Sequence, residues 1–159
     1  MTEALPERRK LPHGIPNWVP DGAVYFLTVN CRERGVNSLC QGAVAEAVRD
    51  SVEFRMGRGD WWVHLLVLMP DHLHMLATFS RDRAMRDVVK QWKEYVAKQA
   101  GVRWQRDFFD HRLRSDESQE EKAAYIRANP VRAGLIGGGE IWPYQWQWRP
   151  DWEGEKAER

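Results

Sequence analysis

Cysteine is scarce in this 159-residue sequence: Cys31 and Cys40 are the two present. Two cysteines make no disulfide framework, and their use suits a reducing cytoplasm. An excess of one charge is also lacking, because 24 Lys and Arg stand against 23 Asp and Glu for a net charge of +1. That balance excludes a highly basic, histone-like protein and leaves room for a local basic patch. No apolar run approaches the roughly 20 residues of a membrane-spanning helix, so no membrane partner is expected. The segment from Met1 to Lys10 is polar and charged and holds no signal-peptide core. A cytoplasmic protein is the expectation. The length and the 43% apolar share fit one globular domain whose core needs no cross-links.

Tryptophan, by contrast, is abundant, with nine copies. Core and surface packing is the ordinary use of such residues, and base stacking is the sharper one. Met1 to Pro20 carries four prolines and reads as an extended lead-in. Ala23 to Asn30 is rich in β-branched and aromatic residues and reads as a strand. Gln41 to Arg58 reads as a helix, with Val44, Ala47, Val48, Val52 and Met56 at helical spacing. Trp61 to Phe79 holds two apolar runs joined by Met69-Pro70-Asp71, which predicts a hairpin with both arms largely buried. Arg83 to Ala100 reads as a second helix closed by Gly101. A strand is expected from Val102 through Phe109. A third helix starts at Ser118, or one turn earlier at Ser115, and Pro130 is expected to end it. The order suggests an α+β fold, an antiparallel sheet with helices packed on one face in the split βαβ manner. Gly137 to Gly139 reads as a joint, dividing a domain at 1–139 from a Trp-rich tail at 140–159 that would pack over it or cover a nucleic-acid groove, packing being the expectation.

His72 and His74 are two apart on the second arm of the hairpin, so both imidazoles point to one side. Two neutral imidazoles on one face suit adjacent positions around a divalent metal, with the remaining positions open. Two polar residues on a half-exposed strand is the plainer account. Leu73, Met75 and Ala77 then face a core. His64 would share the histidine face farther along, as a ligand, a supporting group or a surface residue. Asp71 would cap the turn or support a histidine. Tyr125 and Asn129 are four apart on the third helix and share a face. An amide oxygen from Asn129 would complete an open site suited to Mg²⁺ or Mn²⁺. A cap for Asn129 and a packing role for Tyr125 are the alternatives.

Arg81 to Arg114 carries ten Lys and Arg against five Asp and Glu. Arg83, Arg86, Lys90 and Lys93 fall at helical spacing, and Arg103, Arg106, Arg112 and Arg114 follow, interleaved with Trp104, Phe108 and Phe109. Such a mixture suits a nucleic-acid strand, charge following the backbone and rings stacking on bases. A solvated helix face is the alternative. His111 is open between contact with nucleic acid, support of the site and a structural role.

The blocks MPDHLHML (Met69 to Leu76) and YIRANPVRAGLI (Tyr125 to Ile136) resemble the single-tyrosine HUH transposases, above all those associated with repetitive extragenic palindromes. PHGIPNWVPDGAVYFLTVNC near the start, WQRDFFDHRLRSDES (Trp104 to Ser118) and WPY near the end extend the resemblance over most of the chain. It implies a ferredoxin-like sheet with the His pair on a central strand. It implies Tyr125 as nucleophile, His72, His74 and Asn129 as ligands of Mg²⁺ or Mn²⁺, and single-stranded DNA with hairpins as partner. The reaction implied is cleavage and strand transfer through a 5′-phosphotyrosine link, in a monomer or a homodimer. A phenol ordinarily titrates near 10, so the nucleophile needs help in losing its proton. Two other classes remain: a hairpin-binding regulator without catalysis, and a metal-dependent hydrolase of a small molecule that would need neither Tyr125 nor the basic residues.

Overall fold

The computed structural model describes residues 16–149. The elements are β1 (Tyr25–Asn30), α1 (Gly42–Arg58), β2 (Trp61–Met69), β3 (His72–Phe79), α2 (Met85–Ala100), β4 (Phe109–Arg112), α3 (Gln119–Arg127), α4 (Asn129–Arg132) and β5 (Gln145–Gln147). One antiparallel sheet has the order β4-β1-β3-β2-β5. The first four strands with α1 and α2 make the split βαβ arrangement that the sequence suggests, and β3 lies in the middle.

Alternation along the strands divides the sheet into two faces. Leu27 and Val29 of β1, Leu66 and Leu68 of β2, and Leu73, Met75 and Ala77 of β3 face the helix layer of α1 and α2. The apolar stripe of α2, Val88, Val89, Trp92 and Val96, is buried against them. Gly101 closes α2 at φ 73, a left-handed conformation that glycine adopts without a side-chain clash. Buried tryptophans keep their polar atom bonded: Trp92 Nε1 donates to Ser51 Oγ at 2.9 Å and Trp61 Nε1 to the Val52 carbonyl at 3.2 Å. Trp61, Trp62, Trp92, Trp104, Trp142 and Trp148 are buried, and Trp18 and Trp146 pack against the core. Tryptophan in the described residues therefore serves packing.

The opposite face corrects the expectation of helices on one side. Leu65, Val67, Met69 and Leu76 form a second cluster with Ala123 and Ile126 of α3 and with Trp142. Their apolar surface holds α3 on the sheet face that carries His72 and His74. Ser118 caps this helix, its Oγ accepting from Glu121 N at 3.1 Å. Pro130 does not end the helical path as expected. After Ala128 the chain resumes as α4, with Pro130 buried in its first turn, where a missing N–H costs nothing.

The strand expected from Val102 through Phe109 begins only at Phe109. The preceding segment meets β1 through the Cys31–Trp104 bridge and the Gln105 N to Asn30 carbonyl bond. Beyond it, the Lys93 ammonium takes the carbonyls of Gln105, Arg106 and Asp107 at 2.8, 3.0 and 3.2 Å, in place of a strand partner. After Gly139 the chain packs: β5 pairs with β2, and Trp142 and Trp148 enter the two clusters. Residues 1–15 and 150–159, including most of the proline-rich lead-in and the charged end, lie outside the described residues.

Candidate active site

The β2–β3 turn places His72 opposite Met69 and Asn30, and His74 opposite Val67 and Thr28. The two rings lie 4.9 Å apart, centroid to centroid, at 77°. Each is fixed through Nδ1. His72 Nδ1 donates to Asp71 Oδ1 at 2.7 Å, and His74 Nδ1 shares a 3.0 Å hydrogen bond with Thr28 Oγ1. An imidazole that donates from Nδ1, as His72 does to Asp71, leaves Nε2 to act as ligand or proton acceptor.

Asp71 is itself held. Burial alone would raise its carboxyl, but the Gly35 N–H bond, the His72 ring and Arg34 outweigh it and keep the group below the usual range. Of the two roles left open by the sequence, Asp71 takes the support of His72, and its carboxylate also anchors the 31–39 loop through Gly35 and Arg34. Burial pushes His74 down to about 4, with His72 and Arg132 adding to the effect, so it is neutral at physiological pH. A neutral ring is the form that ligates a cation.

His64 is not part of this group. A bulge between Val63 and Leu65 interrupts the ladder there. His64 Nε2 bonds Thr78 Oγ1 at 3.0 Å. Thr78 is four residues beyond His74 on β3, about 13 Å along the strand. Burial pushes His64 down to about 4 as well.

Tyr125 stands on α3, 57% exposed above the same face. A chain of ring contacts links it to the histidines. Lys122 Nζ lies 5.7 Å from the Tyr125 centroid and 5.2 Å from that of Phe26. Phe26 in turn stacks on His74 at 5.4 Å. Asn129 begins α4, and its Oδ1 accepts from Arg132 Nη2 at 2.6 Å. Among the described residues no group of three or more His, Cys, Asp or Glu side chains converges. The resemblance would have a metal held here by the two imidazoles and the Asn129 amide oxygen. The two neighbouring rings, with His74 neutral, are of the kind that suits a divalent cation.

The solved structure of a REP-associated tyrosine transposase bound to a REP hairpin matches this fold with a TM-score of 0.66 at 21% identity, covering 98% of this chain and 93% of that one. A curated Haemophilus influenzae protein carrying the name REP-associated tyrosine transposase is 22% identical over 141 residues, 77% of this chain and 78% of that protein. The chain is similar to REP-associated tyrosine transposases. No family model matches it.

The structure sorts the cations singled out in the sequence. Arg86, Lys90, Arg103 and Arg106 line a groove of about 1040 Å³ between α2 and the segment before β4, with Arg32 beside them. Arg103 pairs only loosely with Glu33, at 3.8 Å between exposed groups. Lys93 borders the groove but is buried, and its three carbonyl bonds leave no ammonium hydrogen for a phosphate. Arg83 bonds Asp60 at 3.1 Å and Gln91 at 2.7 Å, tying α2 to the end of α1. Arg112 lies exposed on the edge strand β4, and Arg114 sits 3.6 Å from Asp116. Four of the eight cations thus line the groove as exposed side chains, while Arg83 and Lys93 are engaged in bonds within the fold.

Sequence reasoning missed Thr28, Phe26, Lys122 and Arg132 as residues of the site, whereas it does single out Phe109 and His111. Thr28 supports His74 from a strand distant in sequence, and strand pairing alone reveals it. Phe109 of β4 is 55% exposed and meets Phe26 edge-on at 6.2 Å, on the histidine face. His111, opposite Phe26, bonds Glu117 at 3.2 Å and so has a structural partner beside the site. Lys122 and Arg132 flank Tyr125 at helical spacing, a signal that was available in the sequence.

Proposed function

We propose that the protein is a metal-dependent, single-strand-specific DNA endonuclease and strand transferase, transposase-like, acting at DNA hairpins through a covalent 5′-phosphotyrosine intermediate. The observation that carries this reading is the oriented pair His72 and His74, linked through Phe26 and Lys122 to an exposed tyrosine. The similarity to REP-associated tyrosine transposases, one of them bound to a REP hairpin, supports the substrate class. The cytoplasm, where DNA is at hand, is the proposed setting. Among the described residues no helix is long and apolar enough to cross a membrane.

In this reading Tyr125 Oη attacks the phosphorus of a phosphodiester. The new O–P bond forms as the bond to the 3′ oxygen breaks, the phenol gives up its proton, and the 3′ oxygen leaves as a hydroxyl. His72, His74 and Asn129 would hold Mg²⁺ or Mn²⁺, which supplies charge neutralisation at the phosphate. The diester energy is kept in the phosphotyrosine link, so the reverse attack by a 3′-OH rejoins or transfers the strand without a nucleotide cofactor. Exposed cations of the α2 groove, Arg86, Lys90, Arg103 and Arg106, follow the DNA backbone.

The test is incubation with labelled single-stranded hairpins, with and without Mg²⁺ or Mn²⁺, on denaturing gels. The expected outcome is a metal-dependent cut and a protein-linked DNA band, both absent in Tyr125→Phe while hairpin binding persists. Binding without any cut by the wild-type protein would replace this reading with that of a hairpin-binding regulator. Cleavage by Tyr125→Phe at the normal rate would refute the nucleophile.

A further inference from the structure

Arg132 stands where the three groups of the proposed chemistry meet. Its guanidinium carbon lies 4.2 Å from the Tyr125 ring centroid. Its Nη2 donates to the Tyr125 carbonyl at 3.1 Å and to Asn129 Oδ1 at 2.6 Å. Its charge also reaches His74. The side chain is exposed, so core packing does not account for its position. Pro130, buried at the start of α4, fixes the path of that short helix and sets Arg132 two helical turns beyond Tyr125.

The bond to Asn129 is short and charge-assisted, the stronger kind of hydrogen bond. An amide oxygen has two lone pairs, but a divalent cation on the second would sit within a few ångströms of the guanidinium. Like charges that close repel even where solvent screens them. The guanidinium and a metal ion are thus alternative occupants of one oxygen.

We infer that Arg132 is a built-in competitor of the divalent cation: it holds the Asn129 amide oxygen against the face of Tyr125, and a metal that uses this oxygen must displace it. The inference rests on the metal-dependent reading of the site. Once released, the guanidinium still lies beside the nucleophile with free donors, and a DNA phosphate is the anion that arrives there. Metal arrival and the presentation of a phosphate-binding cation are then one exchange. Arg132 acts in it as a positioning residue.

The test is Mn²⁺ binding to the DNA-free protein, followed by the loss of the free-ion electron paramagnetic resonance signal. Arg132→Ala should bind Mn²⁺ about tenfold more tightly than wild type, the size expected from removing one charge-assisted competitor. Arg132→Lys, which keeps the charge without the planar fork, should fall between. In an Asn129→Ala background the gain from Arg132→Ala should vanish, a result that a general loosening of α4 would not produce. Equal or weaker binding by Arg132→Ala, or an undiminished gain without Asn129, overturns the inference alone, provided that His74→Ala abolishes binding in the wild-type background. Binding that ignores His74 overturns the metal reading and the inference together.

Discussion

Acid should weaken this protein well above the pH at which most carboxylates are protonated, and His64 and His74 are the reason. Each titrates at 6.5 when solvated and at about 4 in the fold, chiefly because burial disfavours the charged ring. The folded value lies below the unfolded one, so the unfolded chain binds more protons between them. The stability is whole above about pH 6.5 and is lost as the pH falls toward 4. At pH 5 the linkage amounts to about 2 kcal/mol for each histidine and about 4 kcal/mol for both. That is a large part of the total for a domain of this size. Urea melts followed by tryptophan fluorescence at pH 7.5 and pH 5 measure it directly. His64→Gln keeps an amide within reach of Thr78 and removes the titration, so about half of the acid sensitivity should disappear. A wild-type midpoint unchanged between the two conditions would refute the burial argument. So would a His64→Gln protein as acid-sensitive as its parent.

Two further perturbations separate support from contact. Thr28→Val removes the partner of His74 Nδ1 and should weaken Mn²⁺ affinity by about tenfold with little change in the melt, as calorimetry would show; unaltered affinity would mean that the threonine does not orient the ring. Lys93→Met and Arg106→Ala should differ in kind. The first removes the donor to three carbonyls and should cost about 1–3 kcal/mol of stability, whereas the second should leave the melt alone and lower the salt slope of hairpin binding by about one unit.

The site was legible in the sequence where it depended on local period. The spacing of His72 and His74 on an apolar strand already put both rings on one side, and the capping spacing at Ser118 located α3. Pro130 misled because a proline reads as a stop, whereas at the start of α4 its fixed φ favours a new turn. Lys93 misled for a related reason. Its position on the basic stripe of α2 is the same whether the ammonium meets solvent or three carbonyls, and only the path of residues 105–107 decides between them.

Local chemistry therefore settled the element order as far as α3, the shared face of the histidines and the amphipathic face of α2, since these follow from side-chain period and turn residues alone. Tertiary structure decided which partners lie across the sheet. Thr28 reaches His74 because β1 pairs with β3 in one register, and a shift of one residue would turn the threonine to the other face. It also decided that α3 crosses the face opposite α1 and α2, bringing Tyr125 and Arg132 toward the histidines. The apolar residues that hold α3 there, Leu65, Val67 and Leu76, lie far from it in sequence. Burial of that kind is a property of the assembled sheet, and no window of the sequence contains it.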